Sequence, residues 1–275
     1  MRTSLQRCLV LALLTSSPGL VLADEWEGAY VGLHLGEVMD VDDGNDAILF
    51  DTDLDGAGGD TVRNTAGADA FSPGFCNGVA QDRTPAGGCN GNSGGADWGL
   101  RAGYDWDNDG FVYGFLVEYS RDDYRDAVSA FSITPARYTM LRKVDDTFAV
   151  RARVGLSFGD GDNLVYATGG YAHANVETFF DTSNTVNTFV QSGDGSTDGY
   201  QIGLGFERRF WDHVSLGIEY LHTALDDDGH TVRAQGPAPA TNPFLLVNAS
   251  GTDFSRSDAE DFDRDSLRLT ATYRF

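Results

Sequence analysis

Several segments of the chain alternate regularly between apolar and polar positions. In segment 199–210, Ile202, Leu204 and Phe206 fall on one parity, and glycines or polar residues separate them. Segments 213–222 and 266–275 repeat this pattern. A period of two is typical of β-strands whose two faces meet different surroundings. Beyond residue 23, no run holds the roughly 20 apolar residues of a membrane-spanning helix.

The alternation predicts eight strands. Their lengths suit tilted strands of about 9–11 residues that cross a bilayer. The predicted strands are Tyr30–Gly36, Asp97–Trp106, Phe111–Ser120, Thr147–Phe158, Leu164–Asn175, Gly199–Phe210, His213–His222 and Ser266–Phe275.

Short and long connections between these strands alternate without exception. The short ones are Asp107–Gly110, Gly159–Asn163 and Trp211–Asp212, and their Gly, Asn and Asp residues are typical of tight turns. The long ones span about 60, 26, 23 and 43 residues, the first running over about 37–96. In transmembrane barrels short turns face the periplasm and long loops face outward.

The two faces of the strands differ in chemistry. One face is bulky and apolar, with aromatic residues near the strand ends, as interfacial girdles require. The other face carries glycines and charges, which cannot form a dry core unless they pair. The sequence therefore predicts an all-β fold, an eight-stranded antiparallel transmembrane β-barrel with long extracellular loops and a polar lumen. The lumen charges are Arg101, Glu118, Arg151, Arg153, Glu207, Glu219 and Arg268.

The first 23 residues resemble a secretory signal peptide. Arg2 and Arg7 precede the apolar run Cys8–Leu14, and the small residue Ala23 ends the segment. Residues 24–275 would then form the barrel, in the outer membrane of a Gram-negative bacterium. The net charge of −23 falls to about −25 without the two arginines. Such a chain repels phosphates, which argues against a nucleic-acid partner.

Five short segments together resemble the small outer-membrane β-barrel proteins of the opacity and alphaproteobacterial porin-family type. These segments are Trp26–Gly32, Leu164–Ala172, Gly199–Glu207, Ser215–Tyr220 and Tyr273–Phe275. The resemblance implies eight strands, and it implies that the outer-membrane assembly machinery reads the terminal aromatic residues Tyr273 and Phe275. It covers the strands only, so it implies nothing about the function of the loops.

The lumen charges favour ion pairing. Glu118 and Arg151 lie at similar heights on neighbouring strands, as do Glu219 and Arg268, so we expect the pairs Glu118–Arg151 (or Arg153) and Glu219–Arg268. A barrel of eight strands is wide enough only for its side chains to fill. The sequence thus favours a structural plug, with a narrow path for ions or water as the alternative.

The long acidic loops offer two further features. Asp51, Asp53 and Asp55 match the start of a calcium-binding loop, although Val62 replaces the bidentate glutamate at position twelve. Calcium is therefore a candidate cofactor, and a solvated acidic loop without a metal is the alternative. Cys76 and Cys89 would form a local disulfide in an oxidising compartment, with two free thiols as the alternative.

Catalysis is not expected, because no Ser/His/Asp arrangement stands out around the five histidines of the chain. The favoured function is a non-enzymatic outer-membrane protein that supports envelope integrity and presents acidic, mobile surface loops. The alternatives are a narrow porin-like channel and a surface adhesin or ligand-binding protein. The expected partners are outer-membrane lipids, lipopolysaccharide and the assembly machinery, and the protein is expected to be a monomer.

Overall fold

The computed structural model describes residues 25–40, 46–92, 94–193, 195–226, 230–258 and 262–275. The predicted signal segment lies outside these residues. Sixteen strands are found in the described part of the chain. They are Gly28–Asp40 (β1), Ile48–Asp51 (β2), Gly74–Asn77 (β3), Val79–Ala80 (β4), Cys89–Asn90 (β5), Ala96–Asn108 (β6), Phe111–Asp122 (β7), Arg125–Ser132 (β8), Ala136–Phe158 (β9), Asn163–Thr182 (β10), Thr188–Ser192 (β11), Ser196–Trp211 (β12), Val214–Asp226 (β13), Thr231–Gln235 (β14), Thr252–Arg256 (β15) and Phe262–Arg274 (β16).

Eight of these strands close into an antiparallel barrel. Their order is β1, β6, β7, β9, β10, β12, β13 and β16, and each pairs with the next. The first and last strands complete the ring, with Tyr30 opposite Arg274 and Asp40 opposite Arg264. The predicted eight-stranded barrel is thus confirmed. No helix in the described ranges is long and apolar enough to cross a membrane.

Burial along the barrel strands follows the predicted alternation. On β7, Phe111, Tyr113 and Phe115 point outward and are exposed, whereas Val112 and Leu116 are buried. The other barrel strands also present large apolar side chains on the outer wall. Exposed aromatic residues lie near both ends of the wall, including Trp106, Phe158, Phe210, Trp211, Tyr273 and Phe275 near the short turns and Tyr119, Phe148 and Tyr220 near the long connections. In an outer-membrane barrel, lipid covers an apolar outer face of this kind.

The short turns lie where the sequence places them. Asp109 and Gly110 join β6 to β7, and both have positive φ angles, of 54° and 84°. Two successive left-handed residues form the type I′ hairpin turn, whose twist matches that of the flanking strands. Asp107 completes this turn by accepting a hydrogen bond from the Gly110 backbone N–H over 2.9 Å.

Two barrel strands are longer than the sequence predicts. β9 begins at Ala136 instead of Thr147, and β10 ends at Thr182 instead of Asn175. Their extra halves project beyond the barrel, where β8 pairs with β9 and β3 pairs with β8. The alternation signal fails there because these halves pack against other loop segments and have no lipid-facing apolar side.

The long connections fold into a packed layer above the barrel, which we call the cap (the described parts of 46–95, 123–146, 176–196, 230–258). Its sheet has the order β11, β14, β15 and β2. Mobile loops are expected from the sequence, whereas in the described parts of these connections buried apolar residues form a core beneath the sheet. That core includes Ile48, Phe50, Val62, Phe71, Val128, Tyr138, Met140, Val232, Phe244 and Phe254.

Candidate functional site

The centre of the barrel lumen holds a network of charged side chains. Glu118 on β7, Arg101 on β6 and Arg151 on β9 all point inward and are almost fully buried. An Arg151 Nη2 to Glu118 Oε2 distance of 2.7 Å joins one pair. Arg101 lies 3.1 Å from Glu118 and binds both oxygens of Glu219 through its two terminal nitrogens, at 3.2 and 3.0 Å. Arg268 lies 2.8 Å from Glu118 and 3.8 Å from Glu219.

Two extensions continue this network along the lumen. On one side, Arg268 also binds Asp97, and the Asp97 carboxylate lies 3.2 Å from the His34 ring. On the periplasmic side, Arg153 lies 2.8 Å from Glu207 and 3.6 Å from Asp105.

These contacts agree only in part with the pairs expected from the sequence. Glu118 and Arg151 lie together, and Arg153, the alternative partner of Glu118, pairs with Glu207 instead. Glu219 and Arg268 are opposite each other in register, but Arg101 is the closer partner of Glu219. Several of these side chains contact more than one opposite charge, so the lumen holds a connected network and not a set of isolated pairs.

Sequence reasoning missed three members of the network, Asp97, Asp105 and Arg274. Arg274 binds Asp105 over 2.9 Å. Strand parity could have found them, because Asp97 and Asp105 share the parity of Arg101, and Arg274 shares that of Arg268. With these three included, the five arginines of the described network face five carboxylates, so the lumen network is electrically neutral.

Apolar layers close the lumen on both sides of the charges. Near the short turns, Trp26, Val112, Leu164 and Tyr166 form a buried cluster. The Trp26 indole N–H donates a hydrogen bond to the carbonyl of Gly161 over 2.7 Å, which anchors the ring in the periplasmic mouth. At the outer mouth, a second cluster is contributed by five barrel strands and by Tyr124. It comprises Val38, Tyr124, Val144, Ala149, Ala172, Ala174, Val176, Leu225 and Phe262.

A second group of charges, mostly buried, ties three of the long connections to one another within the cap, and we call it the clamp (Asp46, Asp126, Arg142, Arg256, Asp258). The Asp126 carboxylate on β8 lies 2.8 Å from both Arg142 on β9 and Arg256 on β15. Asp258 lies 2.6 Å from Arg142 and 2.8 Å from Arg256. The clamp therefore links segments that are far apart in sequence.

The acidic motif of the first loop gathers a slightly different set of carboxylates. Asp51, Asp53 and Asp60 bring one oxygen each within 4.8 Å of one another. Asp55, which the sequence motif predicts as a calcium ligand, is not in this group and accepts a hydrogen bond from the Ala57 backbone N–H. Hydrogen bonds from the Thr52 hydroxyl and backbone N–H lower the pKa of Asp60. These three carboxylates are the ones that could hold a divalent cation in this loop, and calcium binding stays a prediction.

Cys76 on β3 and Cys89 on β5 are bonded to each other. The disulfide joins the two ends of a short excursion of the first loop, 13 residues apart. It lies in the cap beside β8, with Cys76 opposite Ser129 in the sheet. It therefore holds loop structure and has no contact with the charged lumen.

Each histidine of the described chain hydrogen-bonds to a carboxylate, a backbone carbonyl or a side-chain amide. His34, His173 and His222 bind the carboxylates of Asp97, Asp198 and Asp265. His213 bonds to the carbonyl of Arg274, and His230 to the side-chain amide of Gln191. The terminal residues Tyr273 and Phe275 are exposed on the outer wall, and the Phe275 N–H bonds to the carbonyl of Ala29.

The sequence of the chain is similar to a protein family and to a curated outer-membrane protein. A family model described as outer membrane protein beta-barrel domain matches residues 8–275. The 31 kDa outer-membrane immunogenic protein of Brucella melitensis is 29% identical over 134 residues, which are 48% of this chain and 55% of that protein. The chain thus spans about half the length of this relative.

Among solved structures, the outer membrane protein OprG from Pseudomonas aeruginosa matches with a TM-score of 0.48 and 12% identity, over 90% of this chain and 96% of OprG. The outer membrane protease OmpT from Escherichia coli matches with a TM-score of 0.39 and 10% identity, over 95% of this chain and 99% of OmpT. These similar proteins come from outer membranes, and one of them is a protease.

Proposed function

Because the chain belongs to the outer membrane protein beta-barrel domain family and is a protein of the outer membrane, we propose that it is a sealed, non-enzymatic barrel that reinforces the envelope and carries the cap outside the cell. One observation carries the proposal. Buried side chains occupy the lumen at three levels, which are the neutral charged network and the apolar clusters at its two mouths.

Charge pairing supports a plug more than a passage. Arg101 and Glu118 are each in contact with more than one opposite charge, and both are buried. An ion that crossed would have to displace these contacts in a medium of low dielectric constant, where each broken pair is costly. A narrow channel for ions or small solutes is the second candidate, because the network is polar.

A non-enzymatic role is supported by the histidine environments, because none of the described histidine hydrogen bonds goes to a serine, threonine or cysteine side chain. His173 and Asp198 lie at the outer rim of the wall, and His173 Nδ1 is 2.7 Å from the carboxylate. The third neighbour in that group is the Tyr171 hydroxyl, which also binds Asp198. This arrangement uses the carboxylate to hold two neighbours in place.

Planar-bilayer conductance of the purified full chain tests the sealed barrel. We expect no stable open state at any voltage that the bilayer tolerates. Sustained current steps that scale with salt concentration would overturn the plug in favour of the channel. Periplasmic leakage after detergent shock, in a deletion strain with and without the restored gene, tests reinforcement. Equal leakage from both strains would contradict it.

A further inference from the structure

We propose that the cap binds one ring of a neutral carbohydrate in a cleft formed by all four long connections. The site lies outside the lumen, so it is independent of whether the barrel conducts. The cleft has a volume of about 280 Å³. Its described lining includes Asn64 and Phe71 of the first connection, Ile133 of the second, Asn184 and Val186 of the third, and Pro243 of the fourth.

The cleft is uncharged on a strongly acidic protein. No Asp, Glu, Lys or Arg side chain is among its described lining residues, although the chain carries a net charge of −23. An anion would meet the surrounding negative field, and a cation would find no carboxylate inside the cleft to pair with. The electrostatics therefore favour a neutral ligand.

The walls of the cleft combine apolar surface with hydrogen-bonding groups. Phe71 and Phe244 form its floor, as part of the packed cap core, and Ile133 and Val186 are exposed at its rim. The Asn64 side-chain oxygen accepts from the backbone N–H groups of Ala66 and Ala68. None of the described hydrogen bonds uses the Asn64 NH₂ group, so it can donate to a ligand.

A rigid scaffold holds the opposite side of the cleft. The Asn184 amide donates to the Tyr138 hydroxyl over 3.0 Å and to the Asn187 oxygen over 3.1 Å, and its own oxygen accepts from the Val186 N–H. Asn187 in turn exchanges hydrogen bonds with Asn242. The amide chain joins the third and fourth connections, so the cleft is shaped before a ligand arrives.

Size and chemistry together select the ligand class. Small-molecule pockets usually measure roughly 300–1,000 Å³, so this cleft suits a single ring. A pyranose offers an apolar C–H face for Ile133 and Val186 and hydroxyl groups for the Asn64 amide. A purely apolar molecule would leave that amide without a partner, which costs binding free energy.

Saturation-transfer NMR on the full chain in detergent micelles tests the site. The probes are the methyl glycosides of glucose, galactose and N-acetylglucosamine, with sialic acid as the anionic comparison and benzyl alcohol and tetra-alanine as the other candidate occupants. We expect at least one neutral glycoside to bind, with the strongest transfer to its C–H protons, and sialic acid to bind more weakly.

Two variants test whether the glycoside binds in the cleft. Asn64→Asp keeps the oxygen that Ala66 and Ala68 use and removes the NH₂ donor, and Val186→Asp adds a charge at the rim. Each should weaken glycoside binding about tenfold, by loss of a hydrogen bond or by burial of a charge. The matched control is Val247→Asp, at a similarly exposed cap position outside the described cleft lining (Val186 is 54% exposed and Val247 63%). It should bind as the unchanged protein does.

Three outcomes would overturn the proposal. They are the absence of transfer to every neutral glycoside, equal binding by Asn64→Asp and Val247→Asp, and preferred binding of benzyl alcohol or tetra-alanine. The heat-dependent gel shift of each variant is compared with that of the unchanged protein, so loss of binding through misfolding is recognised. If both cleft variants misfold, competition between glycosides on the unchanged protein decides, and non-competing signals refute a single site.

Discussion

Arg151 and Glu118 meet at 2.7 Å in the middle of the barrel, and their side chains are 0% and 1% exposed. They stand on neighbouring strands, β9 and β7, two positions out of register with each other. Glu118 also touches Arg101 and Arg268, so one carboxylate compensates part of the charge of three arginines. The network is therefore sensitive to the loss of this single carboxylate.

Glu118→Gln should strongly destabilise the barrel. It leaves the shape almost unchanged but deprives buried arginines of a counter-charge, which typically costs about 3–5 kcal/mol. The measurement is urea unfolding in detergent, followed by the gel shift of the folded barrel. The matched control is Asp145→Asn, which breaks the exposed pair with Arg121, at 3.5 Å, and should cost less than about 1 kcal/mol. Equal losses would mean that the network contributes nothing beyond a surface pair.

Arg256→Met should loosen the cap and leave the barrel intact. Arg256 is buried and contacts Asp126, Asp258 and Asp46 of the clamp, so its loss leaves these carboxylates with less positive charge nearby. We expect faster proteolysis in the cap with an unchanged gel shift of the barrel. Arg233→Met is the control, because Arg233 forms a single, more exposed pair with Asp253 on the same sheet. Unfolding of the barrel together with the cap would contradict the prediction that the barrel stays intact when the cap loosens.

Phe254→Ala should open the core of the cap. The Phe254 ring is fully buried and lies 5.0 Å from the Phe50 ring and 5.4 Å from that of Phe244. Removing a buried phenylalanine side chain usually costs about 3–5 kcal/mol, because it leaves a cavity. Hydrogen exchange of the cap sheet measures the loss. Phe75→Ala, at an exposed position, should change exchange far less.

Acidification should destabilise the cap through His230. Burial and the nearby Arg256 charge lower the pKa of His230 from 6.5 to about 4. The unfolded segment therefore takes up a proton between pH 6.5 and 4 that the folded one refuses, so cap stability falls as the pH decreases through this window. Hydrogen exchange in β14 at several pH values follows the effect. His230→Gln should flatten this dependence, whereas His173→Gln at the outer rim should leave it; an unchanged slope in His230→Gln would refute the assignment.

The barrel could be predicted from the sequence because lipid and lumen demand opposite chemistry on alternate residues. On β6, the parity that marks Arg101 as inward also buries Asp97 and Asp105, so even the missed charges carried a signal. The type I′ turn at Asp109 and Gly110 follows from local backbone preferences. These features depend on neighbours within a few residues.

The cap could not be predicted in the same way. Its strand β2 has four residues, and its pairing with β15 depends on a segment near the other end of the chain. No local sequence pattern around Phe50 indicates that Phe254 packs against it. The clamp could not be predicted for the same reason, because Asp126 and Arg256 lie on short strands of the long connections, outside the eight segments that the alternation marks. The cleft could not be predicted either, because the four long connections that line it meet only in the folded cap.

The pairing of β2 with β15 also implies an order of events during assembly. Contacts between segments so distant along the chain form slowly, because the intervening chain must first lose its freedom. Closure of β1 against β16 brings the neighbouring β2 and β15 segments close together, so the cap sheet should be the last part to form. A chain stalled before ring closure would leave aromatic residues such as Phe50 without their partners from the other end of the chain.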